Sequence, residues 1–206
     1  MTNIIECITG QLNSMQNDSI AIELEQEGRV TKHSFHFLIN QANHPYRHVI
    51  INNAGRSPYQ AGWQDYRPFT STDGQTWSRV TASHYDGTTF HFPISPESRH
   101  IAWYPPYTEK HLLRQQHTVH LNLNSQFLQQ SGLPYYHLGN PKQHCWVILA
   151  RQHPGETQSS FFIDGMLEAI NHHPAVLLQQ NHFLIFPLVN YQGVANNQHR
   201  LTIDGV

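Results

Sequence analysis

The segment Ala150-Arg151-Gln152-His153-Pro154-Gly155-Glu156-Thr157 sets an imidazole and a carboxylate three residues apart, directly after the apolar run Cys145-Trp146-Val147-Ile148-Leu149. These side chains are a nitrogen and an oxygen donor of the kind that holds a tetrahedral cation such as zinc. A buried strand would fix the backbone, and Pro154-Gly155 would turn it sharply enough for both side chains to converge at the strand's carboxyl end. Spacing alone is weak support. The chain has 17 histidines, and in a chain of this composition a His-x-x-Glu pair arises by chance roughly 0.7 times. Context adds to it, because His153 and Glu156 form the only such pair and stand between a strand-like run and a helix-like one. The reversed pair Glu97 and His100 lies in turn-like sequence, Ser95-Pro96-Glu97-Ser98-Arg99-His100. From spacing alone, a turn whose polar side chains satisfy loop backbone is the simpler reading of His153 and Glu156.

The elements that must position this pair can be read from hydrophobic periodicity. Residues 144–150 form a nearly continuous apolar run of the sort buried in a parallel sheet. From Thr157 to about Asn171, the positions Ile163, Met166, Leu167 and Ile170 recur at helical spacing, with Asp164 and Glu168 on another face. Pro174 should end that helix. Phe183-Leu184-Ile185-Phe186 supplies a second buried strand, giving a βαβ unit that is right-handed by general preference. Both strands, 144–150 and 183–189, are expected to be short of sheet neighbours within this chain. Residues 126–140 read as a linker with one short strand at Tyr135-Tyr136-His137-Leu138.

Ahead of residue 110 the period changes to two. Ile20, Ile22 and Leu24, then Phe35, Phe37 and Ile39, then Phe90 and Phe92 alternate as half-buried strands do. Turn signals separate them at Asn53-Ala54-Gly55-Arg56-Ser57-Pro58, Ser71-Thr72-Asp73-Gly74 and Asp86-Gly87. The expectation is an antiparallel β-sandwich over residues 1–110 without a helix, and an α/β segment over residues 111–206.

Composition sets bounds on the partners. The formal net charge of −2 gives no electrostatic reason to expect nucleic acid or an anionic membrane as a partner. No apolar run reaches the length of a membrane span, and the start of the chain lacks the basic and apolar regions of a secretory signal. Cys7 and Cys145, far apart, make no disulfide framework, so the expected compartment is the cytoplasm. His33, His36, His44, His48, His84, His91, His100 and His111 repeat no ligand spacing and read as surface or hydrogen-bonded residues. Trp63, Trp77 and Trp103 read as packing residues rather than a sugar platform.

Arg151-Gln152-His153-Pro154-Gly155-Glu156-Thr157, then Phe186-Pro187-Leu188-Val189-Asn190-Tyr191-Gln192-Gly193-Val194, then Arg200, resembles the zinc metallocarboxypeptidases of the cytosolic carboxypeptidase group. Asn52-Asn53-Ala54, Trp77-Ser78-Arg79-Val80 and Ala102-Trp103-Tyr104-Pro105-Pro106-Tyr107-Thr108 resemble pieces of the β-sandwich that precedes the catalytic domain in that group, in the same order. The resemblance implies a β-sandwich N-terminal domain followed by the start of an α/β carboxypeptidase domain, a mixed sheet with flanking helices, incomplete at the C-terminus. It implies Zn2+ as cofactor, His153 and Glu156 as two of three zinc ligands, and Arg200 as the cation that stabilises the oxyanion. Tyr191 and Gln192 stand where the family usually has Pro and Asp, a departure that touches no metal ligand. The third ligand, the general-base glutamate and the residues that grip the substrate carboxylate fall beyond Val206 by this resemblance, so the 206-residue chain alone is expected to bind zinc weakly and to be inactive. The implied substrate is a peptide or protein C-terminus.

Two other classes fit the same residues. One is a zinc amidohydrolase of the aspartoacylase type, against which the leading sandwich argues. The other is a non-catalytic β-sandwich binding module in which the α/β segment is a relic. The preferred terminal residue and the oligomeric state are not encoded in any motif of the chain.

Overall fold

The computed structural model describes residues 4–118, 133, 135–172 and 174–202. The chain parts after Pro105 into two compact units.

Among the described residues the first unit has twelve strands: β1 (Ile5–Thr9), β2 (Gln11–Gln16), β3 (Ser19–Glu23), β4 (Gln26–Glu27), β5 (Val30–Thr31), β6 (His36–Ile39), β7 (His48–Ile51), β8 (Phe69–Ser71), β9 (Ser78–Arg79), β10 (His84–Tyr85), β11 (Phe90–Pro93) and β12 (His100–Ala102). Two five-stranded sheets, ordered β1-β6-β12-β8-β9 and β10-β11-β7-β3-β2, carry the sandwich, and β4 and β5 form a separate pair. The period-two residues point into one core. Ile20, Ile22, Phe37, Ile39, Val49, Ile51, Phe90 and Ile101 are completely buried, with Phe35 and Phe92 nearly so. Each sheet thereby covers the apolar face of the other, which alternation along a strand makes possible. Trp63 and Trp103 pack in this core as well.

One pair departs from the antiparallel expectation. β3 and β7 run parallel. Their connection leaves the sheet, and within it β6 joins the opposite sheet beside β1 and β12. Parallel neighbours need such a long crossover, which local alternation in sequence does not reveal.

The turn signals act through short side chains. Asp73 Oδ1 accepts from the amides of Gln75 and Thr76 at 2.8 Å each, and Asp86 Oδ1 accepts from Thr88 and Thr89 at 2.8 and 2.7 Å. The Thr76 and Gln75 amides favour the charged carboxylate of Asp73 and lower its pKa to about 2, and the Thr89 hydroxyl, ahead of the Thr89 and Thr88 amides, lowers that of Asp86. Asn53 bonds both the amide and the carbonyl of Leu24, at 2.8 and 2.9 Å. Residues 54–56 and 60–63 form two 3-10 turns, and there is no α-helix among the described residues of this unit. His33 Nδ1 meets Ser57 Oγ at 2.9 Å and His44 Nε2 meets the Ser98 carbonyl at 2.8 Å, so two of the scattered histidines are buried and hydrogen-bonded.

The second unit contains α1 (Glu109–Thr118), β13 (Tyr136–Gly139), β14 (Cys145–Leu149), α2 (Gln158–His172), α3 (Pro174–Gln180), β15 (His182–Phe186) and α4 (Tyr191–Ala195). The expected linker, residues 126–140, falls largely outside the described residues, apart from the strand predicted within it, which is β13. Its sheet is mixed, ordered β13-β15-β14, with β15 antiparallel to β13 and parallel to β14. Ile163, Leu167 and Ile170 of α2 pack with Tyr136, Leu138, Ala150 and Ile185 in its core.

Three expectations change here. β15 has a neighbour on each side, because β13 returns antiparallel beside it. β14 lies at the edge of this sheet among the described residues, in keeping with the expected shortage of neighbours, but it is not buried: Trp146, Val147 and Leu149 are each more than half exposed. An apolar run shows that a strand suits burial, while burial itself depends on flanking elements. Pro174 does follow α2, but it also opens α3. At a first helical position proline's missing N–H has no bond to make, so the residue that stops one helix can begin the next.

His36 carries a pH prediction. It lies against Trp77 and His100, and burial followed by the nearby His100 lowers its pKa to about 4. The unfolded chain therefore takes up a proton below about pH 6.5 that the folded chain refuses until about pH 4. Stability should be unaffected above pH 6.5 and fall across that window by up to about 3 kcal/mol. Thermal unfolding of wild type and His36→Gln between pH 7 and pH 4 should show a flatter profile for the variant.

Candidate metal centre

The parallel pairing of β14 with β15 continues past both strands. The Ala150 amide donates to the Phe186 carbonyl at 2.9 Å, the Val189 amide to Ala150 at 2.9 Å, and the Asn190 amide to Arg151 at 3.2 Å. The carboxyl ends of the two strands, and the loops that leave them, are therefore held together. This is where open parallel sheets place ligands.

The first loop turns at once. The Glu156 amide donates to the His153 carbonyl at 3.1 Å, closing a tight turn around Pro154-Gly155. The Thr157 carbonyl then accepts the first bonds of α2, from Ser160 and Phe161. His153 and Glu156 are each partly exposed and both line one open cavity of about 420 Å3, together with Arg151, Gln152, Gln158 and Ser159.

The second loop closes on the first. Asn190 Oδ1 accepts from the Gly193 amide at 3.0 Å and starts α4, while its Nδ2 donates to the carbonyls of Leu201 at 3.2 Å and Gln152 at 3.4 Å. Gly193 sits so near Pro154 that an added Cβ would stand 2.5 Å from the proline ring and from Asn190 Oδ1. The Gly155 amide donates to the His199 carbonyl at 2.8 Å. That contact places Arg200 beside the cavity, with its Nη2 3.3 Å from His153 Nε2 and its carbonyl 3.4 Å from His153 Nδ1. A guanidinium only donates, so in this contact His153 Nε2 accepts.

His153 and Glu156 thus line one cavity, and Arg200 reaches it through its contact with His153. The chemistry of the first two suits a zinc ion. An imidazole and a carboxylate facing one cavity are a nitrogen and an oxygen donor of the right kind. Among the described residues, no group of three or more His, Cys, Asp and Glu side chains could hold a metal.

Three further residues shape the site: Arg151 and Asn190, which stand in the motifs quoted from the sequence without a role of their own, and His199, an imidazole outside any ligand spacing. Arg151 is only 4% exposed and His199 is likewise buried. The one available signal was an arginine placed at the end of an apolar strand, where water cannot easily reach it.

The architecture has counterparts of known structure. A metallo-carboxypeptidase from Burkholderia cenocepacia matches with a TM-score of 0.82 at 23% identity, covering 98% of this chain and 60% of that one. A metallo-carboxypeptidase from Pseudomonas aeruginosa, in complex with (2-guanidinoethylmercapto)succinic acid, matches with a TM-score of 0.82 at 22% identity, covering 98% of this chain and 59% of that one. The fold is that of the N-terminal sandwich and the first part of the catalytic domain of a metallocarboxypeptidase. Residues 8–107 match the cytosolic carboxypeptidase N-terminal domain. Human cytosolic carboxypeptidase 4 is 28% identical over 141 residues, 55% of this chain and 13% of its own length. An uncharacterized Zymomonas mobilis protein is 29% identical over 190 residues, 83% of this chain and 48% of its own. Residues 8–107 thus match the N-terminal domain of the cytosolic carboxypeptidases, the fold of the whole chain is that of metallo-carboxypeptidases, and the chain spans about half the length of the Zymomonas mobilis relative.

Gly155 offers a test of the loop closure. A Cβ there would stand 2.1 Å from His199 Nδ1, so Gly155→Ala must push His199 aside. The expected outcome is a loss of roughly 1–3 kcal/mol, as overpacked sites show. Chemical denaturation of wild type and variant measures it.

Proposed function

We propose that this chain is part of a cytoplasmic zinc carboxypeptidase that hydrolyses the C-terminal peptide bond of peptides or proteins. The observation that supports this most is the convergence of His153 and Glu156 on one cavity at the carboxyl ends of two parallel strands, with Arg200 beside them. His153 and Glu156 would hold the zinc, the imidazole through a ring nitrogen and the carboxylate through oxygen. Bound zinc supplies Lewis acidity and makes an attached water acidic enough to attack at neutral pH.

Arg200 has a separate task. Its guanidinium is exposed and permanently charged, and it can shift from His153 toward a substrate carbonyl without leaving the loop fixed by His199 and Asn190. There it would stabilise negative charge as that charge develops on the carbonyl oxygen. The bond it makes with His153 competes with any cation for the same ring. The relatives' name, cytosolic carboxypeptidase, supports both the compartment and the C-terminal substrate.

Catalytic zinc sites use three protein ligands, and a pair holds the ion less tightly. The 206-residue chain should therefore take up zinc weakly and release no C-terminal residue. Calorimetric zinc titration of the chain should show a single weak site whose affinity falls at least roughly 100-fold in His153→Ala and in Glu156→Ala, since each removes half of the donors. Unchanged binding in both variants would contradict the assignment.

A further inference from the structure

We propose that Arg151 is a positioning residue for the metal-holding turn: its buried guanidinium holds the Pro154 carbonyl and so fixes His153 and Glu156 on the same cavity. This rests on the zinc reading above.

Arg151 leaves β14 in a left-handed conformation, with φ of 61°. A side chain with a Cβ adopts that region at a cost of about 1–2 kcal/mol. The twist turns its side chain inward, under the turn that follows. There Nε donates to the Pro154 carbonyl at 2.7 Å, Nη1 to Ser160 Oγ at 3.2 Å, and Nη2 to the Tyr107 carbonyl at 3.1 Å. The amide of Arg151 also donates to Ser159 Oγ at 3.0 Å.

None of these acceptors is a carboxylate. Among the described residues Arg151 has only these neutral acceptors, and burying a cation on neutral groups alone is costly. Simple packing would be met as well by an apolar side chain. What an arginine adds is a rigid fork that ties three segments: the turn at Pro154, the first turn of α2 at Ser160, and the chain ahead of α1 at Tyr107.

The bond to Pro154 is the one that matters for the metal. Proline has no N–H, so the carbonyl is its only backbone group able to hydrogen-bond. That carbonyl lies between the two donors in sequence, and its orientation sets the peptide plane from which Gly155 and Glu156 continue. The opposite side of the turn is held by the Gly155 amide on His199. Clamped from both sides, the turn presents both side chains to one cavity before any ion arrives.

The test uses the whole chain and zinc ion, with Arg151→Met, Arg151→Lys and Ser160→Ala compared with wild type. Two readouts are taken: hydrogen exchange of the Gly155 and Glu156 amides relative to the Ile185 amide in the metal-free state, and zinc affinity by calorimetry. Arg151→Met should speed exchange at the turn at least tenfold against Ile185 and weaken zinc roughly 10–100-fold, as loss of a supporting contact does in metal sites. Arg151→Lys, which keeps a donor but not the fork, should fall between. Ser160→Ala, which loses an acceptor away from the turn, should lower stability without changing either turn exchange or affinity. Turn exchange in Arg151→Met equal to wild type would overturn the proposal, as would equal effects of Ser160→Ala and Arg151→Met. Turn exchange that responds as expected while wild type binds no zinc would instead overturn the metal reading and leave the clamp standing.

Discussion

The site depends on the parallel register of β14 and β15. Five residue pairs, from Cys145 with His182 to Leu149 with Phe186, bring the two strands to the same end of the sheet together. Everything chemical follows from that alignment. Because the bonds from Ala150 to Phe186 and from Val189 to Ala150 extend it, the loop carrying His153 and Glu156 and the loop leading to Arg200 begin side by side. A shift of one residue would turn Ile185 away from α2 and separate the loops. Burial of Ile185 against Leu167, Ile170 and Leu138 is what resists such a shift.

Next to this register, the site is shaped by two residues without side chains and one with a long one. Gly155 and Gly193 permit backbone and ring approaches that any Cβ would prevent, so His199 can lie on one loop and Pro154 on the other. Arg151 fills the space beneath. Such loops acquire their precision from supporting hydrogen bonds rather than from the donors themselves. The sandwich has a different economy, in which alternating apolar residues on two sheets bury one another and polar contacts such as Asn53 on Leu24 fix the turns.

Much of this was legible in the residues. Period-two runs at Ile20–Leu24, Phe35–Ile39 and Phe90–Phe92 marked core strands because a strand's faces alternate, and Ile163, Leu167 and Ile170 marked the buried face of α2. The His153 and Glu156 pair was visible because donor chemistry is carried by residue type. What escaped was decided by partners distant in the chain. Nothing near Val147 says that it and Trp146 and Leu149 stay exposed, nothing near β3 says that its neighbour β7 runs parallel, and Pro174 reads equally well as the end of one helix or the start of another. Arg151 escaped for a related reason, since its role comes from the Tyr107, Pro154 and Ser160 oxygens it reaches only in the folded chain.

The most direct measurement is anomalous diffraction at the zinc edge from crystals of the chain soaked in millimolar zinc. The account predicts one strong peak within bonding distance of a His153 ring nitrogen and a Glu156 oxygen, with the Arg200 guanidinium displaced from the imidazole. A peak at other side chains, or a cavity without one while Arg200 still bonds His153, would contradict it.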